Sequence, residues 1–198
     1  MTPHTTTTAQ SAALPEHTCP VWVGHLLASP LRRLVQSPKR IVGPHLQPGM
    51  TVLDVGSAMG FFSIPMARWV NPGGRVICVD LQQPMLDGLG RRARKAGVLE
   101  SLELRRCEQG DLGIADLAGR VDFALAFAMV HEAGDPKGLV EEIAATLAPG
   151  GRLLIAEPRG HVTSEAFADT VVSAEQSGLR LIERPRIRWS RAGLFVRR

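Results

Sequence analysis

The heptapeptide Asp54-Val55-Gly56-Ser57-Ala58-Met59-Gly60 carries the densest chemical signal in the chain. It closes a short apolar run, Thr51 to Val55, and a helix-compatible stretch from Phe61 to Val70 follows it. Glycines let backbone come close to a ligand, and the first turn of the next helix presents unpaired N–H groups. Two phosphate-binding readings fail on spacing. A dinucleotide loop of the form G-x-G-x-x-G, counted from Gly56, needs glycine at Ala58 and at Phe61, and neither position supplies it. A P-loop needs Gly-Lys-Ser/Thr, which does not follow. The three cysteines, Cys19, Cys78 and Cys107, are odd in number and lack C-x-x-C spacing, which argues against a disulfide framework or a zinc knuckle. No metal site is expected.

The elements that must position this loop follow from periodicity and punctuation. Thr51 to Val55 reads as a buried strand, and the helix after the loop stops at Asn71-Pro72-Gly73-Gly74. Arg75 to Val79 is a second strand. Pro84 opens a helix with Met85, Leu89 and Ala93 four apart and Gly97 at its end. Leu102 to Arg106 alternates apolar and charged residues and suits an edge; Val121 to Phe127 reads as fully buried. Asp135-Pro136 caps a helix with Leu139, Ile143 and Leu147 in register, closed by Pro149-Gly150-Gly151. Leu153 to Ala156 is a fifth strand, Thr163 to Ser177 a last helix, and Leu179 to Ile187 and Ser190 to Val196 a closing strand pair. The expected fold is α/β: a doubly wound, mostly parallel seven-stranded sheet with an N-terminal helical lid. Ligands in such sheets sit at the carboxyl ends of the strands. Residues 1–18 read as a flexible tail and 19–198 as a single domain, with 19–47 the lid and 48–198 the core. Trp22, His25, Arg32 and Arg33 are the lid residues that could face an acceptor.

Taken in order, these segments resemble the class I S-adenosylmethionine-dependent methyltransferases, of the small-molecule type found in ubiquinone and menaquinone biosynthesis. Asp54, Gly56 and Gly60 match the family's D-x-G-x-G-x-G loop, with Ala58 in place of the middle glycine. Val76 to Asp80, Asp122 to Phe127 and Leu147-Ala148-Pro149-Gly150-Gly151-Arg152 match three further motifs, so the likeness covers about Thr51 to Glu157. The resemblance implies a Rossmann-like core and S-adenosylmethionine as cofactor, with S-adenosylhomocysteine as product. It implies cofactor contacts from Asp54, Gly56, Ser57, Gly60 and Phe61, and from Phe127 and Ala128 after the fourth strand. Asp80 would accept the ribose hydroxyls and Leu81 would cover the adenine. Glu108 and Asp111 compete for the adenine amino group. An acidic loop residue suits a sulfonium cation better than a pyrophosphate.

Methyl transfer from a sulfonium is an in-line displacement with a neutral leaving group, so positioning supplies most of the catalysis. A general base matters when the acceptor is a poor nucleophile such as an alcohol or phenol. His131, in Ala128-Met129-Val130-His131-Glu132, lies where the methyl group should emerge and is the base candidate; His161 is the weaker one. The Asn/Asp-Pro-Pro-aromatic signature of nucleic-acid amine methylation is absent, so a small-molecule acceptor is favoured. Alternatives from other classes are a metalloid or thiol methyltransferase, a catalytically silent cofactor- or RNA-binding module, and a nicotinamide-dependent dehydrogenase, which Ala58 and Phe61 oppose.

Bulk properties set the frame. The chain has 198 residues, 44% of them hydrophobic and 21% charged, which are globular values. No apolar run reaches the length of a membrane helix, and Met1 to His17 lacks the features of a secretory signal, so a cytoplasmic location without membrane contact is expected. The net charge of +4 is uneven: from Gly178 onward seven arginines face one glutamate, so the rest of the chain is slightly acidic. Such a tail can meet nucleic acid or an anionic substrate, or merely solvate an edge hairpin. A homodimer is left open.

Overall fold

A computed structural model describes residues 36–198. Buried runs in the sequence become the interior of one sheet. The strands are β1 (Thr51–Val55), β2 (Arg75–Asp80), β3 (Leu102–Arg106), β4 (Val121–Phe127), β5 (Leu147–Pro158), β6 (Leu179–Glu183) and β7 (Ser190–Arg197). Their order across the sheet is β3-β2-β1-β4-β5-β7-β6. β7 alone runs antiparallel to its neighbours β5 and β6; the other pairings are parallel. The expected doubly wound, mostly parallel seven-stranded sheet is present. β3 takes the edge that its half-apolar pattern demands.

Helices α1 (Pro38–Ile41), α2 (Ser63–Val70), α3 (Gln83–Ala96), α4 (Pro136–Thr146) and α5 (Ser164–Gln176) complete the described chain, with several single 3₁₀ turns. Side chains alternate across each strand, so two cores form. Leu53 and Val55 of β1 point to the face covered by Val140 and Ile143 of α4 and Phe167 of α5. Val52 points to the other face, against Met66 and Val70 of α2 and Leu89 of α3. Burying both faces is what makes the central strands nearly uninterrupted apolar runs.

Three boundaries differ clearly from the sequence expectation; the first is β6, which ends at Glu183 rather than Ile187. β5 begins at Leu147 rather than Leu153: the Pro149-Gly150-Gly151 turn is absorbed into a strand whose register shifts between Val121 and Phe123. α2 begins at Ser63 rather than Phe61, because the left-handed Gly60 (φ 78°) holds the chain in a turn first. That glycine is required by its surroundings. A Cβ on Gly60 would stand 2.2 Å from Cδ1 of Leu89, which is fully buried. Gly60→Ala is expected to cost about 2–4 kcal/mol through overpacking and left-handed strain, lowering the thermal midpoint by roughly 2–4 °C per kcal/mol. An unchanged midpoint would mean that the loop is not anchored as described.

The part of the expected lid that is described, residues 36–47, lies at the amino ends of the strands. Val42 is buried there, and the His45 ring stacks on Phe123 near the start of β4, with centroids 5.5 Å apart. Cys19, Trp22, His25, Arg32 and Arg33 lie outside the described residues.

Candidate active site

The carboxyl ends of β1, β2 and β4 meet at the point where the strand order reverses, with β2 on one side of β1 and β4 on the other. A cavity of about 440 Å³ opens there, and Gly56, Asp80, Leu81, Glu108, Asp111 and His131 all line it. Six of the twelve proposed site residues are therefore together. Asp54, Ser57, Gly60, Phe61, Phe127 and Ala128 stand outside the lining and shape it from behind.

Strand alternation explains Asp54. It shares its face with Val52 and meets α2, where the Ser63 hydroxyl donates to its Oδ2 at 2.5 Å. Asp54 is 3% exposed, and its visible work is to fix the start of the helix after the loop. Phe61 and Phe62 pack edge to face, and Phe62 rests on Phe127 with centroids 4.8 Å apart. Two alanines adopt left-handed backbone at this rim, Ala58 (φ 44°) and Ala128 (φ 57°). Ala58 keeps the conformation that glycine would supply, and its N–H donates to Asp80 Oδ2 at 2.8 Å. Ala128 N–H donates to the Ala156 carbonyl at 2.7 Å. Strain of this kind survives only where surrounding bonds over-determine it.

Asp80 closes the loop over β2. Its Oδ1 accepts the Gln82 N–H at 2.9 Å while Oδ2 accepts Ala58, leaving further lone pairs for a ligand. Burial lifts its carboxyl above the usual aspartate range, with the Gln82 and Ala58 amides opposing. Leu81 beside it is an exposed apolar side chain on the cavity wall. Glu108 and Asp111 pair through backbone hydrogen bonds, and Asp111 Oδ1 accepts the Gly113 N–H at 2.8 Å. The Asp111 carboxylate is thus engaged in its own turn, whereas the Glu108 side chain makes no hydrogen bond among the described residues.

Sequence reasoning missed Glu157. It is the penultimate residue of β5, with 1% exposure, and both its oxygens are used. Oε1 accepts the amides of Met129 and Val130, each at 3.1 Å. Oε2 accepts the His131 amide at 3.2 Å and also bonds His131 Nδ1. One carboxylate therefore shapes the whole β4 loop and orients the imidazole. The available signal was an acid closing the buried run Leu153 to Ala156. With Nδ1 committed to Glu157, His131 Nε2 turns outward, 3.4 Å from His161 Nδ1 and 4.0 Å from Glu132 Oε1. Burial raises the Glu132 carboxyl above its usual value, opposed first by His131.

The cavity is acidic. Asp80, Glu108, Asp111, Glu132, Asp135 and Glu142 line it, and no lysine or arginine does among the described residues. Such a field repels pyrophosphate and suits a cation. Two features fit S-adenosylmethionine in particular. Gly56, left-handed at φ 71°, lines the cavity with backbone alone, because Met129 closes the space a Cβ would need (3.0 Å to its Cβ), and Ser57 Oγ is buried without a hydrogen-bond partner among the described residues. An orphaned hydroxyl beside a glycine turn is the polar group a ligand would complete. The two thiols among the described residues are less suited to metalloid chemistry: burial pushes Cys78 well above its usual value and raises Cys107 to about 11. No described helix is long and apolar enough to cross a membrane.

Comparison with known proteins agrees with this geometry. Residues 46–185 match the methyltransferase domain family. The chain is 33% identical over 126 residues to the arsenite methyltransferase of Halobacterium salinarum, covering 64% of this chain and 31% of that protein. It is 32% identical over 147 residues to the ubiquinone biosynthesis O-methyltransferase of Xanthomonas axonopodis pv. citri, covering 74% of this chain and 58% of the relative. The chain thus spans about a third to somewhat over half the length of these relatives. Among solved structures, a SAM-dependent methyltransferase from Aquifex aeolicus superimposes with a TM-score of 0.79 at 23% identity, covering 90% of this chain and 98% of that one. The chain belongs to the methyltransferase domain family, with the fold of S-adenosylmethionine-dependent methyltransferases.

Proposed function

We propose that this chain methylates a small-molecule acceptor whose nucleophile is a hydroxyl or phenol, with His131 as general base. The observation that carries the reading is the Glu157–His131 pair at the mouth of the cavity. S-adenosylmethionine supplies a methyl group already activated on a sulfonium, so the protein must bind, orient and remove one proton. Asp80 and Glu108 would hold the ribose hydroxyls and the adenine amino group, with Leu81 over the base and the Gly56–Ser57 backbone under the amino-acid end. Glu157 keeps His131 as the Nδ1–H tautomer, so Nε2 carries the lone pair that takes the acceptor's proton. The imidazolium formed then faces a buried carboxylate that stabilises it. His161, exposed beside Nε2, offers the proton a way to solvent.

Asp80 makes the first test. Loss of its charge-assisted bonds should cost about 1.5–3 kcal/mol, so Asp80→Asn is expected to weaken S-adenosylmethionine binding by roughly 10- to 100-fold. Because the folded state holds the Asp80 proton more tightly than the unfolded chain does, ionising it costs stability as pH rises from the ordinary carboxylate range through its raised value. The hydroxyls it would accept need the charged form, so cofactor affinity rises over that same window, and Asp80→Asn should flatten the rise. A dissociation constant equal to the parent's would remove Asp80 from the cofactor site.

Acceptor class is read by incubating the protein with methyl-labelled S-adenosylmethionine and separated cell fractions. The expected label lies in low-molecular-weight hydroxyl or phenol compounds. Label confined to RNA or protein would overturn the small-molecule reading.

A further inference from the structure

A second cavity, of about 380 Å³, opens where the loop after β5 meets the turn between β6 and β7 and the start of α5. Its lining inverts the first. Arg159, Arg184, Arg186 and Arg191 face it together with Ser164 and Ser190, and no acid lines it among the described residues. These arginines come from two distant stretches of chain, which β5 and β7 bring together by pairing Glu157 with Arg191 and Pro158 with Ser190. Two of the four are braced. Arg159 Nε donates to the Ser190 carbonyl at 3.1 Å, and Arg191 donates through Nε and Nη2 to Ser164 Oγ at 3.3 and 3.1 Å. The other two, Arg184 and Arg186, are exposed and make no hydrogen bond or ion pair among the described residues. Glu165, in the first turn of α5, is held below the usual glutamate range by its own amide and the Thr163 hydroxyl, with Arg191 adding to the effect, but it does not line the cavity.

Four guanidinium groups around one opening repel one another, and solvating them singly would be easier on a convex surface. Elsewhere in the C-terminal stretch the arginines are used differently: Arg197 ties down the carbonyls of Ala144 and Ala145 at the end of α4, and Arg188 lies over the Trp189 ring. We propose that this cavity is a binding site for a phosphate group. A guanidinium fork matches the oxygens of a phosphate in pairs, and a dianion or trianion offsets a charge that a lone carboxylate cannot. The braced pair fixes the geometry and the unpaired pair closes on the ligand. The phosphate belongs either to the methyl acceptor itself or to a separate phosphorylated ligand. The first source is geometrically open, because Arg159 lies two residues from His161, which touches His131.

The site is tested with inorganic pyrophosphate as probe, by isothermal titration on the whole chain at 0.15 M salt. One site per chain is expected, weakening as salt rises. The double variant Arg184→Gln/Arg186→Gln should lose at least tenfold in affinity while its S-adenosylmethionine affinity stays unchanged. Both side chains are exposed and unbonded, so folding should be unaffected. The charge-matched control Arg188→Gln/Arg198→Gln should bind pyrophosphate as the parent does. No binding by the parent, parental binding by the first variant, or an equal loss in the control would each overturn the proposal. Pyrophosphate competing with the acceptor in turnover would assign the phosphate to the acceptor. Binding without competition would assign it to a separate ligand, and either result upholds the site. The readout does not depend on His131, so the failure of one reading leaves the other standing.

Discussion

His131→Ala is expected to lower kcat by about 10²- to 10⁴-fold with a hydroxyl or phenol acceptor, while leaving the dissociation constant for S-adenosylmethionine nearly unchanged. The imidazole lies at the mouth of the cavity with Nε2 turned away from Glu157, so its loss removes a proton acceptor and leaves Asp80 and the glycine loop in place. Imidazole added to the buffer should restore part of the rate. An acceptor thiol that is already ionised needs no base, and there the variant should be nearly as fast as the parent. Near-parental turnover with a phenol would reduce His131 to a packing residue. Steady-state rates with two acceptor classes, beside a cofactor titration, separate these outcomes.

Substitution of Glu157 has the largest structural consequence. The side chain is buried and serves three backbone amides and one imidazole nitrogen. Glu157→Ala leaves all of them without an acceptor inside the protein. Removing one member of a buried charged network of this kind costs about 3–5 kcal/mol, so the variant should unfold at a markedly lower denaturant concentration. Glu157→Gln is the sharper probe. Its carbonyl oxygen can still accept from the loop, but its amide nitrogen now faces His131 Nδ1 and favours the opposite tautomer. Stability should fall modestly while turnover falls nearly as far as in His131→Ala. The double variant His131→Ala/Glu157→Gln should be no slower than His131→Ala alone, because both changes remove one function. Additive losses would show that Glu157 acts independently of the histidine.

Much of this arrangement was legible from residue order. The loop from Asp54 to Gly60, the end of β2 at Asp80, the edge strand β3 and the starts of β6 and β7 all stand where local patterns put them, because each is bounded by strong stop signals or by a change of period. Asp54 shows where the reading needed one more step. Its place in the family motif suggests a ligand contact, yet alternation along β1 turns it to α2 and Ser63. The Glu157–His131 bond joins residues 26 apart in sequence and depends on the parallel pairing of β4 with β5, which no local window displays. The arginine cavity is similar. The charge excess after Gly178 was plain, but the convergence of Arg159 with Arg184, Arg186 and Arg191 requires the antiparallel register of β5 and β7.

The most direct test of the account is a calorimetric titration of the purified chain with S-adenosylmethionine, S-adenosylhomocysteine and NAD, run in parallel on Asp80→Asn. The acidic cavity, its backbone wall at Gly56 and the paired acceptor positions on Asp80 predict that both adenosyl ligands bind at one site per chain, that NAD does not, and that Asp80→Asn weakens both. Binding of NAD in preference to S-adenosylmethionine, or adenosyl affinities indifferent to Asp80, would contradict it.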